Sequence, residues 1–144
     1  MSLPPASGTY LTLLLGAEEY GIPITLVREI VGMQAVVPVP DRPAMVDGVI
    51  NLRGVVIPVV NLRRAFGLGE VVADAQNIII VVDGGQDGRV GLAADRVNEV
   101  VTFREDEVEP PPRLASHGSL VAGIAKSQGR IRILLNLESL TNHT

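Results

Sequence analysis

Two stretches of this chain lie over one another without a gap. Gly48–Leu62, GVINLRGVVIPVVNL, aligns with Gly123–Leu137, GIAKSQGRIRILLNL, at an offset of 123 − 48 = 75, matching Gly48 to Gly123, Gly54 to Gly129 and Asn61-Leu62 to Asn136-Leu137. A second pair, Gly21–Val31 and Gly91–Val101, aligns at 91 − 21 = 70; carried backwards, this offset sets Thr9–Leu13 over Ile79–Asp83. Two matches in the same order imply an internal duplication. The chain is therefore expected to build two similar small units, about residues 9–67 and 78–140.

Those units read as β. Tyr10–Leu15, Tyr20–Ile24, Val49–Leu52, Val55–Val60, Ile78–Val82, Val90–Ala93, Val100–Phe103 and Ile131–Leu135 are apolar runs of strand length, punctuated by Gly, Pro, Asn or Asp. A sheet this small leaves edges unpaired, and curling each unit into a small barrel removes them. Two short helices are expected between strands. Thr25 caps one that Gly32 ends, with Leu26, Val27, Ile30 and Val31 apolar and Arg28 and Glu29 outward; Asn61–Gly67, NLRRAFG, opens on an Asn cap and closes on Gly.

Composition removes several classes of function. The 144 residues are 47% hydrophobic, enough for a core, and the net charge of −4 with a pI near 5.1 opposes nucleic acid as the main partner. Without cysteine there is no disulfide, thiolate nucleophile or Cys-ligated zinc, which fits a reducing compartment. No uninterrupted apolar run reaches the length of a membrane span, and MSLPPASG lacks the basic start and apolar core of a signal peptide. Residues 1–8 read as a flexible arm, and the protein as soluble and cytoplasmic.

One charge stands out. Arg53 interrupts the apolar run from Gly48 to Val60, and a lone guanidinium is not buried without a partner. The duplication resolves this. Gly54 and Gly129 fall at equivalent points between strand-like runs, so each unit has a hairpin turn there with Gly at positive φ, and Arg53 sits at its tip. The other unit carries Gln128, so the turn itself needs no charge. Arg53 is either a solvated turn residue or a rigidly mounted recognition group.

The sequence GVINLRGVVIPVVNLRRAFG, preceded by EEYGIPITLVREIVGM and VVPVPDRPAMVDG and followed by VGLAADRVNEVVTF, resembles a CheW domain over about Thr9 to Leu140. The resemblance implies an all-β fold of two SH3-like five-stranded barrels with a few short helices. The first subdomain would span about 9–67 and the second about 78–130, with residues 131–140 free to return to the first. It also implies a non-catalytic adaptor that couples the cytoplasmic tips of chemoreceptors to the regulatory domain of the histidine kinase CheA, without cofactor or metal, in the cytoplasm at membrane-associated receptor arrays. The receptor-facing residues it implies are Arg53, Glu29, Val27 and Gly48. Glu29 recurs as Glu99, and Gly48 as Gly123, so both also have a structural explanation, and Val27 fits a core position. Arg53 is not repeated. Ile30, Val97 and Val100 fit exposed apolar surface and core equally.

Two positions depart from the family pattern. Asn61 stands where Asp is usual in a D-L-R element, which preserves the helix cap and loses only a charge. Ala94 replaces a Val, which touches local packing. Other classes have weaker support. His117 and His143 belong to no catalytic constellation, and no phosphate-binding glycine motif precedes a helix. Asp83–Gly88 reads as a turn rather than a calcium loop, and Glu105-Asp106-Glu107 as a solvated loop. The alternatives are a small barrel that binds a hydrophobic ligand in its interior, and a CheW-like scaffold in a pathway other than chemotaxis.

Overall fold

The run Ile79-Ile80-Val81-Val82 is fully buried, which a strand achieves only with apolar matter on both faces. The computed structural model describes residues 8–69, 76–84, 88–111 and 120–141, and supplies both faces. Its strands are β1 (Gly8–Leu15), β2 (Glu18–Pro23), β3 (Val27–Gly32), β4 (Val46–Leu52), β5 (Val55–Asn61), β6 (Ile78–Asp83), β7 (Arg89–Ala94), β8 (Arg96–Phe103), β9 (Val108–Glu109), β10 (Val121–Ser127) and β11 (Arg130–Leu135); α1 (Leu62–Ala65) follows β5 and α2 (Leu137–Thr141) follows β11. They form two SH3-like barrels. Barrel I has the order β8-β1-β2-β11-β10-β9 and barrel II the order β3-β6-β7-β5-β4.

Three apolar clusters follow from the period-2 alternation of the strands. Ile79 and Val81 turn into barrel II, where they meet Ile50, Leu52, Ile57 and Val59. Ile80 and Val82 turn the other way, into a larger cluster with Leu11, Leu13, Tyr20, Ile22, Leu92, Leu135, Leu137 and Leu140. This cluster draws on both barrels and joins them. The third cluster, Tyr10, Phe103, Ala125 and Leu134, fills barrel I. Gly21 and Gly91, equivalent in the duplication, stand where a Cβ would come within 2.9 Å of Leu134 and 2.7 Å of Ile79. Both barrel walls close on a glycine at that point.

The two halves of the sequence do not fold apart as about 9–67 and 78–130. β1 and β2 pair with β8 and β11, while β3, β4 and β5 join β6 and β7. Barrel I takes the hairpin β1–β2 from the first half and four strands from the second; barrel II takes the hairpin β6–β7 from the second half and three strands from the first. The duplication explains why: β3 pairs antiparallel with β6 as β8 does with β1, and β5 runs parallel to β7 as β11 does to β2, so the same pairing is made twice in reciprocal directions. Even β9 has a counterpart: Ile124 bridges Glu109 as Val49 bridges Val37, and 124 − 49 = 75.

Two expectations are corrected. The backward extension at offset 70 is one residue out. Leu14 pairs with Glu19 and Asp83 with Arg89, which puts β1 over β6 at 83 − 14 = 69. In IIIVV every residue is apolar, so the pattern could not fix a register whose slip by one exchanges the faces. The helix expected from Thr25 to Gly32 is a short 3-10 turn, Ile24–Leu26, followed by strand β3. The β-branched Val27, Ile30 and Val31 favour extended backbone, and pairing of Ile30 with Ile80 and Val31 with Ile79 decides it.

Candidate protein-interaction site

β4 and β5 are joined by the two residues Arg53 and Gly54, flanked by the pair Leu52–Val55. Arg53 has φ +52° and Gly54 φ +87°, the signature of a type I′ turn, whose twist matches that of the strands. The Asn51 side chain accepts from the Gly54 amide at 2.8 Å and fixes the turn from within. Gln128 and Gly129 repeat it at φ +55° and +74°, so the left-handed backbone at the tip belongs to the hairpin and not to arginine. What differs is the side chain. Arg53 is 66% exposed and donates through Nη2 to both carboxylate oxygens of Glu29, which is 26% exposed.

Glu29 lies on β3 and Arg53 at the end of β4, the two edges of barrel II's sheet. Their ion pair therefore bridges the seam where the sheet curls on itself. Barrel I carries a different set of ion pairs, from its edge strand β8 to the interior strand β11. Glu99, equivalent to Glu29, accepts from Arg130 at 2.6 Å and Arg132 at 3.1 Å, both on β11. Arg132 is only 1% exposed, with its guanidinium 5.4 Å from the Phe103 ring centre and its Nε 3.2 Å from Glu19, too poorly aligned for a hydrogen bond. Burial pushes the Glu19 carboxyl up, but hydrogen bonds from Asn98 and Thr12 and the charges of Arg132 and Arg130 outweigh it and hold the group below its ordinary value.

The other expected site residues separate. Val27 packs against the inter-barrel cluster and is half-buried. Gly48 is buried, at φ +150°, beneath the backbone of Val37. Thus Arg53 and Glu29 meet on the surface, while Val27 and Gly48 lie under it. Of the apolar residues that sequence could assign either way, Ile30 and Val100 are exposed and Val97 packs on the inter-barrel cluster. Val37, Val39, Val55 and Val56 are exposed as well and were not singled out; a continuous apolar run gives no sign of which members face water.

Polar clasps hold the base of this barrel. The Asn61 side chain caps α1, accepting from the Arg64 amide at 3.1 Å, and also donates to Asp47 at 3.0 Å, while Arg64 reaches the other oxygen of Asp47 at 2.5 Å. Asn61 therefore does more than preserve a cap. An aspartate there would set a second carboxylate against Asp47 and lose the hydrogen bond that the amide donates. Arg63 forms a two-pronged pair with Asp95 at 2.6 and 2.8 Å, and Asp95 also accepts from the Gly16 amide in the β1–β2 turn. The clasp thereby ties α1 to both barrels. Hydrogen bonding from Arg63 pulls the Asp95 carboxyl below its ordinary value, against the opposing effect of burial. Tyr20 is pushed up to about 12, mainly by burial and then by Glu18.

His117, His143 and Gly85–Asp87 lie outside the described residues. Glu105–Glu107 forms a 3-10 turn, with Glu107 accepting from the Arg104 amide at 2.7 Å. Among the described residues no cluster of three or more metal-ligating side chains occurs, and no helix is long and apolar enough to cross a membrane.

The chain is thus a two-barrel β module whose interiors are packed with apolar side chains and whose Arg53–Glu29 pair stands at an exposed hairpin tip. The family model for the CheW-like domain matches residues 9–144, and the chain belongs to that family. It is 35% identical over 133 residues to the chemotaxis protein CheW of Klebsiella aerogenes, covering 91% of this chain and 80% of that one. It is 32% identical over 134 residues to CheW of Treponema pallidum, covering 90% and 79%. The scaffolding protein TtCheW from Thermoanaerobacter tengcongensis superimposes with a TM-score of 0.86 at 32% identity, over 96% of this chain and 94% of the other.

Proposed function

We propose that the protein is a non-catalytic adaptor that couples chemoreceptor cytoplasmic tips to the regulatory domain of CheA in the cytoplasm. The observation that carries this reading is the exposed Arg53–Glu29 pair on a rigid tip, present in one barrel and replaced by Gln128 in the other. An exposed ion pair contributes little to stability, and so is free to serve a partner. Kinship with proteins named for chemotaxis supports that role over a scaffold of another pathway. The interior of barrel II is filled by its own Ile and Val side chains, which opposes a ligand-binding barrel.

The test is co-sedimentation with receptor-containing membranes and cognate CheA, with kinase autophosphorylation as readout. Wild type should assemble and stimulate the kinase. Arg53→Glu should fold and lose receptor binding, because it sets two carboxylates together at the tip. The exchanged variant Arg53→Glu/Glu29→Arg separates the two roles of the pair. If it restores binding, the pair acts by closing the seam; continued loss means that the guanidinium itself is read by the partner. Wild type that binds neither receptor nor kinase defeats the coupling role.

A further inference from the structure

The chain crosses between the barrels twice. It passes from barrel I to barrel II between β2 and β3, through the turn Ile24–Leu26, and returns between β7 and β8, through the single residue Asp95. The duplication makes the two crossings equivalent, with Thr25 matching Asp95 at 95 − 25 = 70 and Arg63 matching Glu138 at 138 − 63 = 75. They are held by opposite means. At the first, Ile24, Leu26 and Val27 pack on the inter-barrel cluster, and the matched residues Thr25 and Glu138 carry no positive charge between them. At the second, the Arg63 guanidinium engages all three of its nitrogens: Nε and Nη2 donate to the two oxygens of Asp95 at 2.8 and 2.6 Å, and Nη1 donates to the Gly69 carbonyl at 3.0 Å. The Asp95 carboxylate accepts in turn from the Gly16 amide of barrel I at 2.7 Å, and its carbonyl accepts at 3.1 Å from Asn77, which precedes β6 of barrel II.

Apolar burial is non-directional and tolerates small sliding of one packed face on another, whereas a fork of parallel N–H bonds to a carboxylate has one geometry. The clasp is suited to act as the pin of this joint. Its two side chains are 20% and 18% exposed, so water screens it less than it screens the pair at the barrel II tip. Gly16 has φ +62°, and this left-handed backbone aims the β1–β2 turn's amide at Asp95, where a Cβ would already stand 3.6 Å from Arg63 Nη2. The next residue of α1 offers a contrast. Arg64 reaches Asp47 on β4 and the Ala44 carbonyl just before it, which fastens the helix within barrel II. Arg53 and Glu29 also belong to barrel II, so a partner's grip on them reaches barrel I through the joint.

We propose that Arg63 is a positioning residue for signal transfer: by clasping Asp95 and Gly16 it fixes the angle between the barrels, and with it the placement of a kinase domain engaged by barrel I relative to a receptor held at the barrel II tip. This rests on the coupling role proposed above. The chain has no cysteine, so Arg89→Cys on β7 and Lys126→Cys on β10 place one spin label on each barrel. The distance between them, read by double electron–electron resonance, should be narrowly distributed in that pair and broad once Arg63→Gln is added. Without labels, Arg63→Gln should bind receptor-containing membranes and the CheA regulatory domain within about twofold of wild type, while receptor-dependent kinase stimulation falls about tenfold. Arg63→Lys keeps the charge and loses the fork, and should behave like Arg63→Gln. Arg64→Gln should leave both the distance and the stimulation unchanged. An unbroadened distance in Arg63→Gln overturns the inference and leaves the coupling role intact, as do a loss of binding to either partner, full stimulation by Arg63→Lys, or an equal loss in Arg64→Gln. Should Arg63→Gln fail to fold, Arg63→Lys decides by the same two readouts. Wild type that stimulates no kinase removes both readings.

Discussion

At the tip of barrel II, Arg53-Gly54 turns between strands that carry Val55 and Ile57; at the tip of barrel I, Gln128-Gly129 makes the same turn between strands that carry Arg130 and Arg132 at the equivalent positions. Ile57 is buried among Ile50, Val59 and Val81, while Arg132 is equally buried and needs Glu19, Glu99 and the Phe103 ring around it. One barrel closes with hydrocarbon inside and an ion pair outside, the other with charge carried into its wall. The same backbone thus tolerates two chemistries at one place, because strand pairing fixes the path and leaves the choice of side chain to the local partners.

The comparison breaks most completely if the halves are separated. Residues 1–69 and 70–144 expressed apart should each show no cooperative unfolding, and mixed together they should regain the native circular dichroism, since neither half contains a whole barrel. A half that folds alone would refute the reciprocal pairing. Next come the matched interior positions. Arg132→Ala should destabilise by about 3–5 kcal/mol by removing the buried cation that lies between Glu19, Glu99 and the Phe103 ring, and Arg132→Leu/Glu19→Leu should recover most of that in urea unfolding. Ile57→Ala should cost about 2–5 kcal/mol with no such rescue.

A smaller effect concerns acid. Asp95 and Glu19 have folded-state pKa values below their ordinary 3.8 and 4.5, so their contributions are full above those values and are lost as pH falls through the lower folded-state ones. Asp95→Asn should lower stability at neutral pH and flatten its decline on acidification, followed by thermal melting from pH 7 to 3. The smallest effect belongs to the tip. Arg53→Gln should change stability by less than about 1 kcal/mol because the pair is exposed, so a loss of partner binding there separates recognition from folding.

Sequence carried the architecture further than the connections. The strand runs and the Gly54 and Gly129 turns were legible from alternation and glycine, and the Asn61 cap from its residue type. That the halves exchange hairpins was not, because an alignment of repeats is the same whether each repeat pairs with itself or with the other. β3 was misread because VREIV satisfies a helical stripe and a pleat alike, and its partner β6 lies more than 40 residues on. Resemblance singled out Arg53 and Glu29 but not their contact, since only curling the sheet brings β3 to the end of β4. Arg132 gave a local sign, sharing the alternation of Leu134, but an arginine on an inward face is ordinarily read as the outward one.

The reciprocal exchange of hairpins has the form of a strand-swapped homodimer written into a single polypeptide. In a homodimer with a two-fold axis, each substitution appears twice, and both ends must present the same face. Fusion lifts that restriction. A valine at one bridge can oppose a glutamate at the other, as Val37 does Glu109, and an arginine can occupy one tip alone. Broken symmetry is thus what lets a duplicated fold, unlike the dimer it imitates, offer two ends that are not interchangeable.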